Sequence, residues 1–336
     1  MIDKSRDDAV KPFAGLTPDV VLDAAGSLGF DSDGRLFALN SYENRVYQMG
    51  SSEGTVVLKF YRPGRWTDAQ IDEEHAFTAE LAAAEMAVAA PLNVDGKTLF
   101  RFQDFRFSVF PWMRGRAPEL DAPEARQMLG RSLARIHRIG AVQPFRARVR
   151  LSVERLGFEA RDQVIESGML PAAMEESYLR ATDALLERIE RVFDEVGAVR
   201  QIRVHGDCHL GNLLWNEQGP VFVDLDDCMM APAIQDLWML LSGSESEQQR
   251  QWQHLLEGYE QFRELDFSEL RLVEPLRALR MLHHAAWLAT RWSDPAFPRA
   301  FTWFGGVRFW EGHVNDLLEQ VAAVDDPPAL GFKAGV

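Results

Sequence analysis

The stretch from Val204 to Asp227, VHGDCHLGNLLWNEQGPVFVDLDD, constrains this chain more than any other part of it. Asp207 stands five residues before Asn212; a short turn and the apolar run Val221-Phe222-Val223 then lead to Asp224. Any one of these polar residues could be ordinary turn chemistry, since Asp, Asn and Gly favour turns. All of them together, at this spacing between apolar strands, point to a built site. A loop carboxylate can orient an attacking hydroxyl and take its proton. Oxygen ligands nearby can hold a hard divalent cation against phosphate charge.

A zinc hydrolase is the rival reading, because His205, Asp207 and His209 alternate and would share one face of a strand. That reading leaves Asn212 and Asp224 without a task, and Gly206 and Gly211 belong to loops. His205 is better read as a brace for the loop. Cys208 and Cys228 flank the same segment and are expected as reduced thiols of a cytoplasmic protein.

The chain has 336 residues, enough for two lobes around a large core, and its 46% hydrophobic content is that of a globular protein. With 36 basic and 51 acidic residues its formal charge is −15, which argues against a nucleic-acid partner. The same charge would suit a cationic substrate, although acidic enzymes are common. No apolar run of about 18 residues is present and the first residues lack the core of a secretory signal, so no membrane association is expected.

Residues 1–112 read as a small β-rich lobe and 113–336 as a helical one. Thr17-Pro18 starts a helix that Gly29 stops. Strands follow at Leu36–Leu39, Arg45–Met49 and Thr55–Tyr61, the last two joined through Gly50–Gly54. Thr67 with Gln70 is a capping box for a helix reaching about Ala84. Leu99–Phe102 and Phe105–Phe110 form another hairpin, closed by Pro111. A helix is expected to start from a cap at Asp121 and Glu124. Others are expected at Met174–Val196, Ile234–Leu241, Glu245–Phe262, Leu270–Arg291 and Phe309–Val324. The opening segment supplies two short strands, and the tail from Asp325 reads as loose.

Lys59 is the second anchor. On the apolar strand Thr55–Phe60 an inward lysine is costly unless paired, and the next helix offers Asp72, Glu73 and Glu74. Glu74 is the preferred partner and Glu73 the next; the alternative is a solvated strand lysine. The loop Asn40–Asn44 has no G-x-G-x-x-G, yet Ser41 and its amides could donate to phosphate, or form a plain turn. Asp236 either caps a helix or bonds the Asp207 loop from beneath. Trp287, Trp292, Trp303, Phe304 and Trp310 read as core, and Arg277, Arg280 and Arg291 as solvated helix residues.

In protein kinases an Asp base, an Asn five residues on and a metal-binding Asp after a strand occur together. Four stretches carry a family likeness here: HGDCHLGN (205–212), VFVDLDD (221–227), LGRSLARIH (129–137) and QDLWMLL (235–241). Through them the chain resembles the aminoglycoside phosphotransferase and choline kinase-like family. LNSYENRVYQ (39–48), KFYRPGRW (59–66), EEH (73–75), EPLRALR (274–280) and RWSDPAFP (291–298) look closer still to that family's bacterial serine/threonine protein kinases of stress responses. The likeness spans about residues 17 to 312.

The resemblance implies an α+β, two-lobed protein-kinase-like fold of the aminoglycoside phosphotransferase type. It implies a monomer that transfers the ATP γ-phosphoryl group to a protein Ser/Thr hydroxyl with Mg²⁺, a small-molecule alcohol being the alternative acceptor. Asp207 would be the proton acceptor, with Asp224 also catalytic. Asn212 and Asp224 would hold Mg²⁺, Ser41 and Lys59 would meet ATP with Glu74 supporting the lysine, and the backbone of Phe110–Met113 would hold adenine. Three departures stand out. Gly206 replaces the Arg of H-R-D, Asp224-Leu225-Asp226 replaces Asp-Phe-Gly, and only eleven residues separate Asp224 from Asp236. No long activation loop is left for a phosphate to order, so activity is expected without such phosphorylation.

Overall fold

The computed structural model describes residues 12–327, so the first residues and most of the tail read as loose lie outside the described residues. Thr17 caps α1 (Pro18–Gly26), its side chain accepting the Val20 amide at 3.3 Å, with Pro18 in the first turn. Strands β1 (Ser32–Ala38), β2 (Arg45–Ser51) and β3 (Gly54–Phe60) precede α2 (Asp68–Ala83), and β4 (Phe100–Phe102) and β5 (Phe105–Pro111) follow it. They make one antiparallel sheet in the order β1-β2-β3-β5-β4. The β2–β3 turn is tighter than expected. Ser51 pairs with Gly54, so Gly50 and Ser51 stay in the strand and only two residues turn, the length that best matches strand twist. The capping box of Thr67 and Gln70 opens α2.

Alternation along β3 decides what faces where. Val56, Leu58 and Phe60 pack with Met49, Phe107 and Val109 against Val21, Ala24 and Ala25 of α1. Lys59 therefore points to the opposite face, toward α2 and the helical half.

That half contains α3 (Pro123–Gly140), a π-turn (Glu154–Phe158) running into α4 (Glu159–Glu166), and α5 (Ala172–Val196). After it come α6 (Gln235–Trp238), α7 (Glu245–Tyr259), α8 (Val273–Arg291), α9 (Ala296–Ala300) and α10 (Val307–Asp325). A single large core joins them, with Trp252, Tyr259 and Trp310 fully buried. Two expectations need correction. Asp121 caps nothing: Ala122 holds the N-cap position of α3 without a side-chain bond, and Pro123 sets the start. The helix expected over 234–241 shrinks to the four residues of α6, because Ile234, Leu237, Trp238, Leu240 and Leu241 are all buried. A uniformly apolar run carries no helical period to read. The π-turn and α4 escape a reading by pattern, since Gly157 interrupts it; this glycine lies buried against Leu186 and Leu279.

The segment 204–227 holds the two short strands expected of it, and two more flank it. β6 (Ile202–Val204) pairs with β9 (Met229–Ala231), and β7 (Leu213–Asn216) with β8 (Gly219–Phe222). These two ribbons bring the loop 205–212 beside the loop 223–228. Cys208 and Cys228 are both free thiols, buried in the core beneath these loops.

Candidate active site

Asp236 holds the first loop from beneath. Its carboxylate accepts the backbone N–H groups of His205 and Gly206, both at 2.8 Å, and lies 3.0 Å from His137 Nε2. His137 is fixed in turn by the Tyr259 hydroxyl at 2.8 Å, and Gln235 donates to the Gly206 carbonyl at 2.9 Å. Asp236 is therefore a brace and not a cap. His205 is fully buried and meets the Val223 carbonyl at 3.1 Å, tying the two loops together. Gly206 has φ +86°, and a Cβ there would run into the Asp227 carbonyl oxygen. The arginine of H-R-D has no room in this loop.

Asp207 emerges at the loop's tip, a quarter exposed. Arg280 of α8 donates to its Oδ1 at 2.5 Å, and His209 Nε2 stands 3.4 Å from Oδ2. Because His209 Nδ1 accepts the Gly211 amide at 2.9 Å, Nε2 carries the proton that faces Asp207. Burial pushes the Asp207 carboxyl up, but the His209 hydrogen bond and the Arg280 charge outweigh it and hold the group below the usual carboxylate range. Asn212 donates to the Asp207 carbonyl at 3.0 Å and leans toward Oδ2 at 3.4 Å. Its amide nitrogen is thereby directed at Asp207, which leaves its oxygen for another partner.

Lys59 gathers the other carboxylates. Its Nζ lies 2.9 Å from Asp226, 3.1 Å from Asp224 and 3.6 Å from Glu74. Burial works against the ammonium, but these carboxylates outweigh it and raise its pKa well above the ordinary lysine value. Burial, reinforced by Asp226 and Asp224 against the pull of Lys59, pushes Glu74 up to about 7. Glu73 is engaged elsewhere, accepting the backbone amides of Arg146, Ala147 and Arg148 at 2.6 to 2.8 Å. Asp224 and Asp226 divide in character. Asp226 is buried and bonds Arg65 and the Asn44 side chain as well as Lys59. Burial raises its carboxyl, yet Arg65, Lys59 and Arg148 together hold it far below the usual range. Asp224 keeps 52% of its side chain open and sits in the left-handed region at φ 57°, a conformation that clusters at functional sites.

Ser41 is half-buried in the loop between β1 and β2, and no side-chain hydrogen bond ties it down among the described residues. Its neighbours are tied across to the C-terminal helices. Glu43 accepts from Trp287 Nε1 at 2.7 Å and from Arg291 at 3.2 Å, and also faces Arg62 and Arg65. Asp294 takes Arg45 at 2.9 Å and Arg62 at 2.7 Å. Tyr42 packs edge-on against Phe301. Beyond Phe110, β5 ends at Pro111, and Arg116 bridges to Trp215.

Several of these residues are invisible to a reading of the sequence. Arg280 and Arg291 read there as solvated and Trp287 as core, and nothing singles out Asp226, Glu43 or Arg65. The Asp-x-Asp spacing of 224 and 226 is the available signal for Asp226. The arginines carry none, because their partners lie 73 and 248 residues away. Of the aromatic cluster, Trp310 and Phe304 are core, whereas Trp303 is 52% exposed.

The donor set suits a hard cation. Among the described residues no group of three or more His, Cys, Asp and Glu is arranged to hold a metal. Mg²⁺ asks for less: one or two oxygen side chains, with phosphate and water completing the shell. The open carboxylate of Asp224 and the free oxygen of Asn212 meet that need.

A sequence model described as the phosphotransferase enzyme family matches residues 36–273. The chain belongs to the phosphotransferase enzyme family. It is an ATP-dependent kinase of that family. Stress response kinase A of Escherichia coli (strain K12) is 43% identical over 317 residues, covering 94% of this chain and 96% of the relative. Serine/threonine protein kinase RdoA of Salmonella typhimurium is 42% identical with the same coverage. Among solved structures, amicoumacin kinase hAmiN in complex with AMP-PNP, Ca²⁺ and Ami aligns at a TM-score of 0.72 and 20% identity, over 93% of this chain and 94% of that one. A microcompartment-associated aminopropanol kinase aligns at 0.68 and 20%, over 93% and 100%. These likenesses show the fold, α+β with a sheet-bearing N-terminal region and a helical C-terminal one, of the aminoglycoside phosphotransferase type. Among the described residues no helix is long and apolar enough to cross a membrane.

Proposed function

We propose that this phosphotransferase is a cytoplasmic, monomeric serine/threonine protein kinase of a bacterial stress response, using MgATP. The reading is supported by two pairs, Asp207 with Asn212 and Lys59 with Asp224; the Val223 amide joins the loops of Asp207 and Asp224 by donating to the Asn212 carbonyl at 3.1 Å, and the two lobes would divide near residue 112. Asp207 accepts the proton of the acceptor hydroxyl while the hydroxyl oxygen forms a bond to the γ-phosphorus. The bond from that phosphorus to the β–γ bridging oxygen breaks, and ADP leaves. Asn212 and Asp224 would hold Mg²⁺, which supplies charge neutralisation for the phosphates. Lys59, supported by Glu74, faces the α- and β-phosphates, Ser41 and its loop amides cover them, and the backbone of Phe110–Met113 receives adenine.

The protein acceptor is supported by relatives named as stress response and serine/threonine protein kinases across 94% of the chain. The eleven residues between Asp224 and Asp236 favour the alternative, a small alcohol, because they leave no extended platform for a peptide. Incubation with γ-labelled ATP, bacterial extract proteins and a separate metabolite pool decides between them. Label on Ser/Thr of protein supports the proposal, and label only on small molecules overturns it in favour of the alternative.

A further inference from the structure

Lys59, Arg65, Arg148 and Arg280 surround the carboxylates of the site, and the first three lie largely buried among them. Lys59 is shared by Asp226, Asp224 and Glu74; Arg65 bonds Asp226 and Asp227; Arg148 donates to the Asp226 and Cys228 carbonyls. Arg280 differs. Its side chain, on α8, is 42% exposed, and among the described residues its one carboxylate partner is Asp207 itself.

A general base must come within about 2.6–3.2 Å of the hydroxyl it deprotonates. Arg280 fills the approach to Oδ1, while His209 and Asn212 stand at Oδ2. An acceptor hydroxyl that takes Oδ1 must displace the guanidinium from that oxygen. The guanidinium then lies next to the oxygen being phosphorylated, where charge spreads over the three equatorial phosphoryl oxygens. Arginine's planar fork suits two such oxygens, and its charge cannot be lost by deprotonation.

We propose that Arg280 is a catalytic residue that exchanges its bond to Asp207 for the transferring phosphoryl group, an arginine finger supplied by the chain's own α8. The inference rests on the reading of Asp207 as the base. In the step, the acceptor oxygen bonds to the γ-phosphorus, its proton passes to Asp207, the bond to the bridging oxygen breaks and ADP departs. Arg280 gains and loses hydrogen bonds only.

The test is single-turnover formation of ADP from γ-labelled MgATP, with water as acceptor so that no protein substrate need be known. Wild type, Arg280→Gln, Arg280→Lys, Arg280→Ala and Asp207→Ala are compared, with MgADP affinity and melting temperature measured alongside. Arg280→Gln and Arg280→Ala are expected to turn over about 10²-fold more slowly or worse. Arg280→Lys, which keeps the charge and the pair with Asp207 but not the fork, should fall between them and wild type. MgADP affinity should stay within about threefold, and added guanidinium should restore part of the lost rate in Arg280→Ala but not in Asp207→Ala.

Turnover by Arg280→Gln within about threefold of wild type overturns the proposal. So does a loss that tracks MgADP affinity or melting temperature across all three Arg280 variants, or one that guanidinium does not relieve. A wild-type rate for Asp207→Ala together with a guanidinium-rescued defect at Arg280 would instead remove the base reading and leave the arginine's role standing. No turnover by wild type would sink both.

Discussion

Asp226 Oδ1 stands 2.9 Å from Lys59 Nζ, nearer than Asp224 at 3.1 Å. The buried second aspartate of Asp-Leu-Asp holds the lysine and Arg65, and the first one keeps half of its side chain open.

Asp226→Asn should therefore destabilise the fold by roughly 1–3 kcal/mol at pH 7, because it removes the buried carboxylate that Lys59 and Arg65 share and leaves Lys59 to Asp224 and Glu74 and Arg65 to Asp227. Asp224→Asn should shift stability by less than about 1 kcal/mol, as expected of a half-exposed pair, while cutting turnover by about 10² or more. The pH dependence has a definite sign. Asp226 has a depressed folded pKa, so its stabilisation is present above the unfolded value near 4 and is lost as pH falls toward the folded one. Urea unfolding between about pH 3 and pH 7 should show a flatter acid limb for Asp226→Asn than for wild type.

Asp236→Ala removes one acceptor from the His205 and Gly206 amides and from His137. Leaving those buried donors unpaired should cost about 2–4 kcal/mol. If the variant stays folded, turnover should fall by at least about tenfold with nucleotide affinity little changed, because the loop that aims Asp207 loses its support.

Glu269 is buried against the turn at Ile234, accepts the Ile234 amide at 2.8 Å, and is pushed up to about 7 by its burial. A raised acid pKa means stability is greatest below the unfolded value near 4.5 and falls as pH rises to about 7. Glu269→Gln keeps an acceptor without the charge. It should raise the melting temperature at about pH 8 relative to wild type and change it little at about pH 4, the difference being on the order of 3 kcal/mol at most.

The eleven residues after Asp224 are occupied by a short 3-10 turn (Leu225–Asp227), β9 and the start of α6. Phosphatase-treated protein should keep its MgATP turnover. Loss of turnover that rephosphorylation restores would show a control that this compact connection does not provide.

The fold is legible in the sequence where pattern and caps agree: the Thr67–Gln70 box, the β3 alternation that turns Lys59 inward, and the spacing of Asp207, Asn212 and Asp224. It is illegible where burial erases periodicity, as around Trp238, or where a glycine sits inside a helical stretch, as at Gly157. The site follows the same division. Its local residues stand out in sequence, whereas Arg280, Glu43 and Arg65 work through partners that only the folded chain brings near. Nothing local marks an arginine for a carboxylate 73 residues away.

The proposed mechanism stands on Asp207 as the base. Single-turnover transfer from γ-labelled MgATP by Asp207→Ala, with MgADP affinity measured on the same protein, tests it most directly. Binding is expected within about threefold of wild type and transfer slower by about 10²-fold or more. Transfer at the wild-type rate by a variant that binds nucleotide normally would contradict it.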